Sequence, residues 1–134
     1  MGYGDDQHAA PSGARQRLGA SGERLAASWL EARGYRILDR NWRCPSGELD
    51  LVAELADELV VVEVKTRRGS AMGAPEEAIT PAKRRHLIAS TQEYLLAHAM
   101  EQRPHRIDVV AIELAPGGRL LGIRHLPACV ELEG

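Results

Sequence analysis

The chain is poor in aromatic residues: it contains two Trp, three Tyr and no Phe. Proteins that hold single-stranded nucleic acid by base stacking need a series of aromatic platforms, so this mode of binding is disfavoured. The formal net charge at pH 7 is only −2, which argues against a protein that coats nucleic acid through its overall charge. Any interaction with a polyanion must therefore use a local patch.

Cysteines and long apolar runs are equally scarce. Cys44 and Cys129 lie far apart in the sequence, which excludes a disulfide framework and a zinc site with the usual ligand spacing. No apolar run approaches the roughly 20 residues of a membrane span. The N-terminus has no basic region followed by an apolar core, and Asp6 stands where myristoylation needs Ser or Thr. We therefore expect a cytoplasmic protein without a membrane partner.

What remains is an ordinary globular composition, with 44% apolar and 27% charged residues in a chain of 134. This length predicts one domain with a real core. We place the domain at residues 15–127, between a flexible tail at 1–14 and a C-terminal tail at 128–134. The periodicity predicts helices at about 15–33 and 81–99, and strands at 35–43, 49–54, 59–65, 106–114 and 120–126.

Two of these strands carry charges inside apolar runs. Glu48 and Asp50 stand at the start of the second strand, within the stretch 47–53, and the third strand contains Glu63 and Lys65 among Val and Leu residues. Strands of this composition belong in the middle of a sheet, where charged groups are costly unless they are paired or hold a cation. The pattern favours a metal-dependent phosphodiesterase site, and the alternative is a salt-bridge cluster on a solvated sheet face.

The register of this strand pair follows from its turn. If Ala56-Asp57 is a two-residue turn, the numbers of opposed residues sum to 113, so Asp50 faces Glu63 and Glu48 faces Lys65. Registers with an even sum would scatter charge into the core and are rejected. Two opposed carboxylates are tolerable if one is protonated or if a divalent cation lies between them.

Basic residues are concentrated between positions 65 and 86, where six Lys and Arg outnumber two Glu to give a local charge of +4. The remainder of the chain therefore carries −6. Thr80-Pro81 predicts a helix start, and Lys83, Arg84 and Arg85 in its first turn oppose the helix dipole. A bound phosphate would offset this conflict, whereas the alternative is a solvated loop and helix start.

Two further acids are ambiguous from the residues alone. Glu23 follows Gly22 in the first helix, and its spacing predicts a solvent-facing side chain, although a helical glycine can mark a close approach of another backbone. Asp108 in the fourth strand is either a distant member of the charged cluster or a partner of Arg106, and the structural role is favoured. The five histidines show no ligand spacing.

The order helix, three strands, helix, strand, together with D…E-x-K, resembles the restriction-endonuclease-like core. A closer resemblance rests on the stretches GERLA (22–26), GYRIL (34–38), NWR (41–43), GELDL (47–51), VEVKTR (62–67), KRR (83–85) and RIDVV (106–110). These stretches span roughly residues 15 to 112, and Ile107 stands where the pattern leads us to expect Phe. In them the chain resembles the YraN family, which is similar to archaeal Holliday-junction resolvases.

The resemblance implies an α/β fold of three layers, in which a mixed sheet of about five strands has its fourth strand parallel to the third. It implies that Asp50, Glu63 and Lys65 form the nuclease triad and that Glu23 is the additional acid of junction resolvases. The expected metal is Mg²⁺ or Mn²⁺, held by Asp50 and Glu63 with Glu23. The expected partner is DNA, which the protein would recognise by its branched structure. A homodimer is expected by analogy with the resolvases alone.

The resulting hypothesis is a metal-dependent endonuclease that hydrolyses DNA phosphodiesters and selects structure rather than sequence. The residues expected to contact flanking phosphates are Arg67, Arg68, Lys83 and Arg84, and Glu48 and Asp108 are secondary candidates for the site. Two alternatives remain open. One is a non-catalytic nucleic-acid-binding module of the same fold with a residual acidic cluster, and the other is a metal-dependent hydrolase of smaller phosphate esters.

Overall fold

A five-stranded mixed sheet with a helix on each face forms the fold of the computed structural model, which describes residues 10–69, 77 and 79–130. The elements are α1 (Ala10–Glu31), β1 (Arg36–Cys44), β2 (Gly47–Leu55), β3 (Glu58–Arg68), α2 (Pro81–Ala97), β4 (His105–Leu114) and β5 (Leu120–Val130). The strands lie side by side in sequence order. β3 and β4 are parallel, and the other neighbours are antiparallel. The predicted three-layer α/β fold is confirmed.

Alternation along β3 divides the interior into two cores. Val60 and Val62 pack with Ala26 and Leu30 of α1. Leu59 and Val61 point to the opposite face and pack with residues of α2, including Leu87 and Tyr94. Successive strand residues face opposite sides, so a strand buried by helices on both faces needs the continuous apolar run that β3 has. Neither helix in the described part of the chain is long and apolar enough to cross a membrane.

The hairpin between β2 and β3 has the predicted register. Leu51 pairs with Val62 and Val52 with Val61, so that opposed residue numbers sum to 113. Ala56 occupies the turn with a positive φ of 54°. This register keeps the valines of β3 in the two cores, which is the physical reason why a one-residue slip is excluded.

The start of α2 also agrees with the sequence. The Thr80 side chain accepts a hydrogen bond from the Lys83 N–H at 3.1 Å, and Pro81 occupies the first helical position. A proline is suited to that position because its missing N–H would have no partner inside the helix. The first turn contains no acidic residue, so its basic side chains face the positive end of the helix dipole.

The ends of the chain differ from the prediction. α1 begins at Ala10, so the helix starts before the predicted residue 15 and includes residues 10–14; Pro11 is compatible with a first helical turn. β5 continues to Val130, beyond the predicted end of the domain. The other tail residues, 1–9 and 131–134, lie outside the described residues, as do residues 70–76 of the loop before α2.

Candidate functional site

The pairing between β2 and β3 stops where the charged residues begin. The last opposed pair is Leu51 and Val62, although both strands continue beyond it. At the next step the Val64 N–H donates to Asp50 Oδ2 at 2.8 Å. A carboxylate oxygen therefore accepts the hydrogen bond that a main-chain carbonyl would accept if the strand pairing continued. We call the region beyond Leu51 and Val62, which contains Asp50 of β2 and Glu63 of β3, the fork.

Glu63 is the buried acid of this fork. It lies in the α2 half of the alternating pattern of β3, and its side chain is only 3% exposed. Its Oε2 atom forms ion pairs with Lys65 Nζ at 3.3 Å and with Lys83 Nζ at 3.2 Å. Its Oε1 atom is buried and has no hydrogen-bond partner. Buried carboxylate oxygens are normally satisfied, so this atom has an unused capacity to bind a donor or a cation.

Asp50 and Glu63 act on each other electrostatically. Burial raises the pKa of the Asp50 carboxyl well above its usual range, and the negative charge of Glu63 raises it further. The hydrogen bond from the Val64 N–H opposes this rise because it stabilises the ionised form. The structure therefore brings together the two acids that the register predicted to be opposed.

Glu23 of α1 joins the same cluster. Burial raises the pKa of the Glu23 carboxyl, and the charges of Glu48 and Glu63 contribute in the same direction. Asn41 opposes the rise through a hydrogen bond from its Nδ2 to Glu23 Oε1 at 3.0 Å. The solvent-facing position that helical spacing predicts for Glu23 is wrong, because α1 approaches the sheet closely at this point.

Gly22 makes this approach possible. A Cβ atom at Gly22 would collide with the Thr66 hydroxyl of β3 and would lie 3.1 Å from the Thr66 Cβ. The first contact would require a shift of the Thr66 side chain, and the second is tighter than ordinary van der Waals packing, so the glycine favours the close packing of α1 on β3. The close packing at the glycine thus places the neighbouring Glu23 near the acids of the fork.

The two secondary candidates, Glu48 and Asp108, occupy different parts of the structure. Glu48 forms a long ion pair with Arg43 across the β1–β2 hairpin at 3.9 Å, and it lies close enough to affect Glu23. Asp108 does not belong to the cluster. It pairs in register with Val62, which faces α1, whereas Glu63 is on the opposite face. Its carboxylate binds Arg106 instead, as the structural alternative predicted.

The four residues predicted to contact phosphates come from two elements, β3 and α2. Arg67 is half-buried and Arg68 exposed at the end of β3, and Lys83 and Arg84 are half-buried in the first turn of α2. Lys83 differs from the prediction in one respect, since its ammonium group reaches into the acidic cluster and pairs with Glu63.

Comparison with known proteins agrees with this architecture. Residues 22–112, which run from Gly22 in α1 to Ile112 in β4, match the sequence profile described as the uncharacterised protein family UPF0102. The chain belongs to the UPF0102 family. This is the YraN family that the sequence motifs indicate.

Bacterial members of the UPF0102 family align with the chain over most of its length. The UPF0102 protein of Roseiflexus castenholzii is 47% identical over 121 residues, which cover 90% of this chain and 98% of that protein. The protein of Anaeromyxobacter dehalogenans is 43% identical and covers 90% of this chain and 88% of its own length. A third, from Symbiobacterium thermophilum, is 50% identical over 78% of this chain and 89% of that protein.

The donor chemistry of this UPF0102 site suits a hard divalent cation. Asp50, Glu63 and Glu23 offer only carboxylate oxygens, the ligands that Mg²⁺ and Mn²⁺ prefer, and Glu63 Oε1 is a buried acceptor without a partner. Within residues 10–69, 77 and 79–130, no three acidic, His or Cys side chains already form a metal cage. The residues therefore fit a metal by type, and their side chains must adjust to hold it.

Two features of the UPF0102 site were not foreseen as parts of it. One is the contact of Lys83 with Glu63, for which the sequence carries no signal beyond the excess of cations in the first turn of α2. The other is Asn41, which orients Glu23 and has a positive φ of 52°. Asparagine tolerates this left-handed conformation better than most residues, so a polar Asn in the strand β1 was a usable signal.

Proposed function

We propose that the protein is a metal-dependent endonuclease that hydrolyses phosphodiester bonds in DNA and selects branched or junction DNA by its structure. The observation that carries this proposal is the fork between β2 and β3, where Asp50, Glu63 and Lys65 lie together. A buried carboxylate oxygen without a partner, next to a second acid with a raised pKa, is costly for a purely structural cluster. Such a cost is common where a site awaits a ligand.

Asp50 and Glu63 would hold Mg²⁺ or Mn²⁺, with Glu23 as a third ligand. When bound, such an ion polarises the phosphate and lowers the pKa of a coordinated water. Two other residues would assist the reaction. Lys65 orients the attacking water or stabilises the developing negative charge, and its ion pair with Glu63 fixes its position. Asn41 keeps the Glu23 carboxylate directed toward the fork.

Affinity for DNA would come from the basic residues that flank the fork. Arg67, Arg68 and Arg84 contact phosphates on either side of the bond to be cleaved, and such contacts position a duplex without reading its sequence. Both described helices pack one face against the sheet, so structure of the DNA, rather than base sequence, is the expected basis of selection. The resemblance to junction resolvases supports branched DNA as the substrate and a homodimer as the active form.

The test is cleavage of linear, flapped and four-way-junction DNA of matched sequence, with Mg²⁺, Mn²⁺ or EDTA. We expect metal-dependent cleavage of the branched substrates and a loss of at least about 100-fold in Asp50→Asn, Glu63→Gln and Lys65→Met. Asp57→Asn, in the exposed turn of the same hairpin, is the matched control and should retain wild-type activity. Cleavage that survives Asp50→Asn or Glu63→Gln would overturn the proposed site.

One observation favours a second candidate, a nucleic-acid-binding module that does not cut. Lys65 and Lys83 both pair with Glu63 Oε2, so the charge of this acid is balanced without a metal. The module predicts salt-sensitive DNA binding by the wild type, no cleavage of any DNA with either metal, and binding that is unchanged by EDTA. Hydrolysis of bis(p-nitrophenyl) phosphate without cleavage of DNA would instead favour a hydrolase of smaller phosphate esters.

A further inference from the structure

Glu63 has two cationic partners, and they differ in how they are held. Lys65 lies on the same strand two residues further along, so the backbone of β3 keeps it beside Glu63. Lys83 comes from α2, the next element, and reaches the same Oε2 atom from across the fork at 3.2 Å. The Lys83 side chain is 37% exposed, whereas that of Glu63 is 3% exposed. The acid is therefore fixed in the interior, and Lys83 has solvent into which it can withdraw.

The helix that carries Lys83 does not depend on this ion pair. Its first turn is closed by Thr80, whose side chain accepts a hydrogen bond from the Lys83 N–H and whose carbonyl accepts one from the Arg84 N–H at 2.9 Å. Pro81 adds a suitable backbone conformation. The ammonium group can thus leave Glu63 while the backbone around it stays in place.

The charge of Lys83 is unfavourable within its own helix. It stands at the positive end of the dipole, in a first turn without any acid. Glu63 compensates this charge from outside the helix, and Lys83 in turn compensates an acid that is otherwise buried beside Asp50. If the pair opened, Glu63 would keep Lys65 as its cationic partner and could accept a further cation, and Lys83 could pair with an anion.

We infer that Lys83 is a resident counter-charge of the metal site. It pairs with Glu63 in the metal-free protein, competes with a divalent cation for that acid, and is released toward a DNA phosphate when the cation binds. This inference rests on the proposed function and deepens it. Lys83 is then a positioning residue that couples the two ligands, because a phosphate that captures Lys83 must favour metal binding as much as the metal favours phosphate binding.

The experiment is a titration of the full chain with Mn²⁺ without DNA, followed by the electron paramagnetic resonance signal of the free ion. Lys83→Met is expected to bind Mn²⁺ about three- to tenfold more tightly than the wild type, since the competing charge is gone. Lys83→Arg keeps the competitor and should restore an affinity within about twofold of the wild type. Arg85→Met removes an exposed cation from the same helical turn and, as the matched control, should also stay within about twofold.

The possible outcomes separate the inference from the proposed function. Equal or weaker Mn²⁺ binding in Lys83→Met, with wild-type binding that Glu63→Gln abolishes, would overturn the role of Lys83 and leave the metal site intact. No Mn²⁺ binding by either the wild type or Lys83→Met would overturn both. Circular dichroism of each variant checks the fold, and Lys83→Gln serves as a second neutral variant if Lys83→Met does not fold.

Discussion

Two buried acids on opposite faces of one sheet have opposite surroundings. Asp108 of β4 is fully buried on the face that α1 covers. Its Oδ1 atom accepts hydrogen bonds from Arg106 Nε at 3.0 Å and from the Ala128 N–H at 2.7 Å. Its Oδ2 atom lies 2.7 Å from His125 Nε2. Every oxygen of this carboxylate therefore has a partner.

Glu63 of β3 is buried almost as deeply but is only half satisfied. One of its oxygens is shared by two lysines, and the other has no partner. Its nearest acidic neighbour, Asp50, has a pKa raised by burial and by the charge of Glu63. Burial alone therefore does not distinguish these two acids. They differ in their partners, because losing one partner of a fully paired buried charge is costly, whereas an incompletely paired acid retains capacity for a ligand.

The Asp108→Ala variant should have the largest effect and tests the comparison between Asp108 and Glu63. This change leaves the Arg106 guanidinium without its main partner in a buried network, and we expect a loss of about 3–5 kcal/mol in the free energy of unfolding in urea. The equivalent Glu63→Ala should cost clearly less, since it also relieves the repulsion with Asp50. Asp57→Ala in the exposed turn is the control, with an expected change within about 0.5 kcal/mol. A larger loss for Glu63→Ala than for Asp108→Ala would contradict the comparison.

Gly22→Ala should have the next largest effect, and it acts on the fork alone. The new Cβ would collide with Thr66, so α1 must move away from β3 at an expected cost of about 1–3 kcal/mol. Thr66→Ala in the same chain removes the colliding group and should restore most of the stability. Thermal unfolding of the two single variants and the double variant measures this coupling. If the double variant is no more stable than Gly22→Ala, the close approach is not the reason for the glycine.

Tyr35→Phe examines the rim of the network around Asp108. The Tyr35 hydroxyl accepts a hydrogen bond from Arg106 Nη2 at 3.1 Å, and Arg106 keeps Asp108 and Glu58 as partners when the hydroxyl is removed. The expected loss is therefore about 1 kcal/mol in urea unfolding, well below that of Asp108→Ala. A loss as large as that of Asp108→Ala would show that the hydrogen bond of Tyr35 contributes as much to stability as the buried acid, which contradicts the comparison.

Asp50→Asn should have the smallest effect and the opposite sign. An amide keeps an oxygen to accept the hydrogen bond of the Val64 N–H and removes the like charge beside Glu63, so we expect a gain of up to about 1 kcal/mol. Because the pKa of Asp50 is raised in the folded state, the folded protein keeps a proton that the unfolded chain loses above about pH 4.

The gain should consequently depend on pH. The contribution of Asp50 to wild-type stability falls as pH rises from about 4 through its folded-state pKa, whereas Asp50→Asn lacks this part of the slope. Urea unfolding of both proteins in EDTA at a series of pH values measures the difference, which should widen as pH rises. A difference that is constant from acid to neutral pH would show that Asp50 is not destabilised by its surroundings.

Much of the fork could be predicted from local features. The turn at Ala56-Asp57 and the alternation of valines in β3 set the register up to the pair Leu51 and Val62. Asp50 and Glu63 come directly after this last pair, so the register brings them to the start of the fork. The helical Gly22 indicated a close approach, which the contact with Thr66 confirms. The N-cap at Thr80 was predicted and is observed. These features depend on neighbours in the sequence or on a single hairpin, so periodicity and turn chemistry are sufficient to predict them.

The partners of the two buried acids could not be predicted in this way. Asp108 receives the Ala128 N–H only because the register of β4 and β5 shifts between Ile107 and Val109. Lys83 reaches Glu63 only because α2 packs across the β2–β3 face after a crossover. Such contacts join residues about 20 positions apart, and their distances depend on packing angles that no local pattern encodes.

The sequence by itself determined the fold class, the register of the central hairpin and the meeting of Asp50 with Glu63, because strand alternation and burial leave one consistent solution. Only the tertiary structure decided that Glu63 has an oxygen to spare while Asp108 has none, and that Lys83 is the second cation on Glu63. The physical reason is that the residue types give the charges and the local pattern, whereas the pairing of buried charges depends on how elements distant in the sequence pack together.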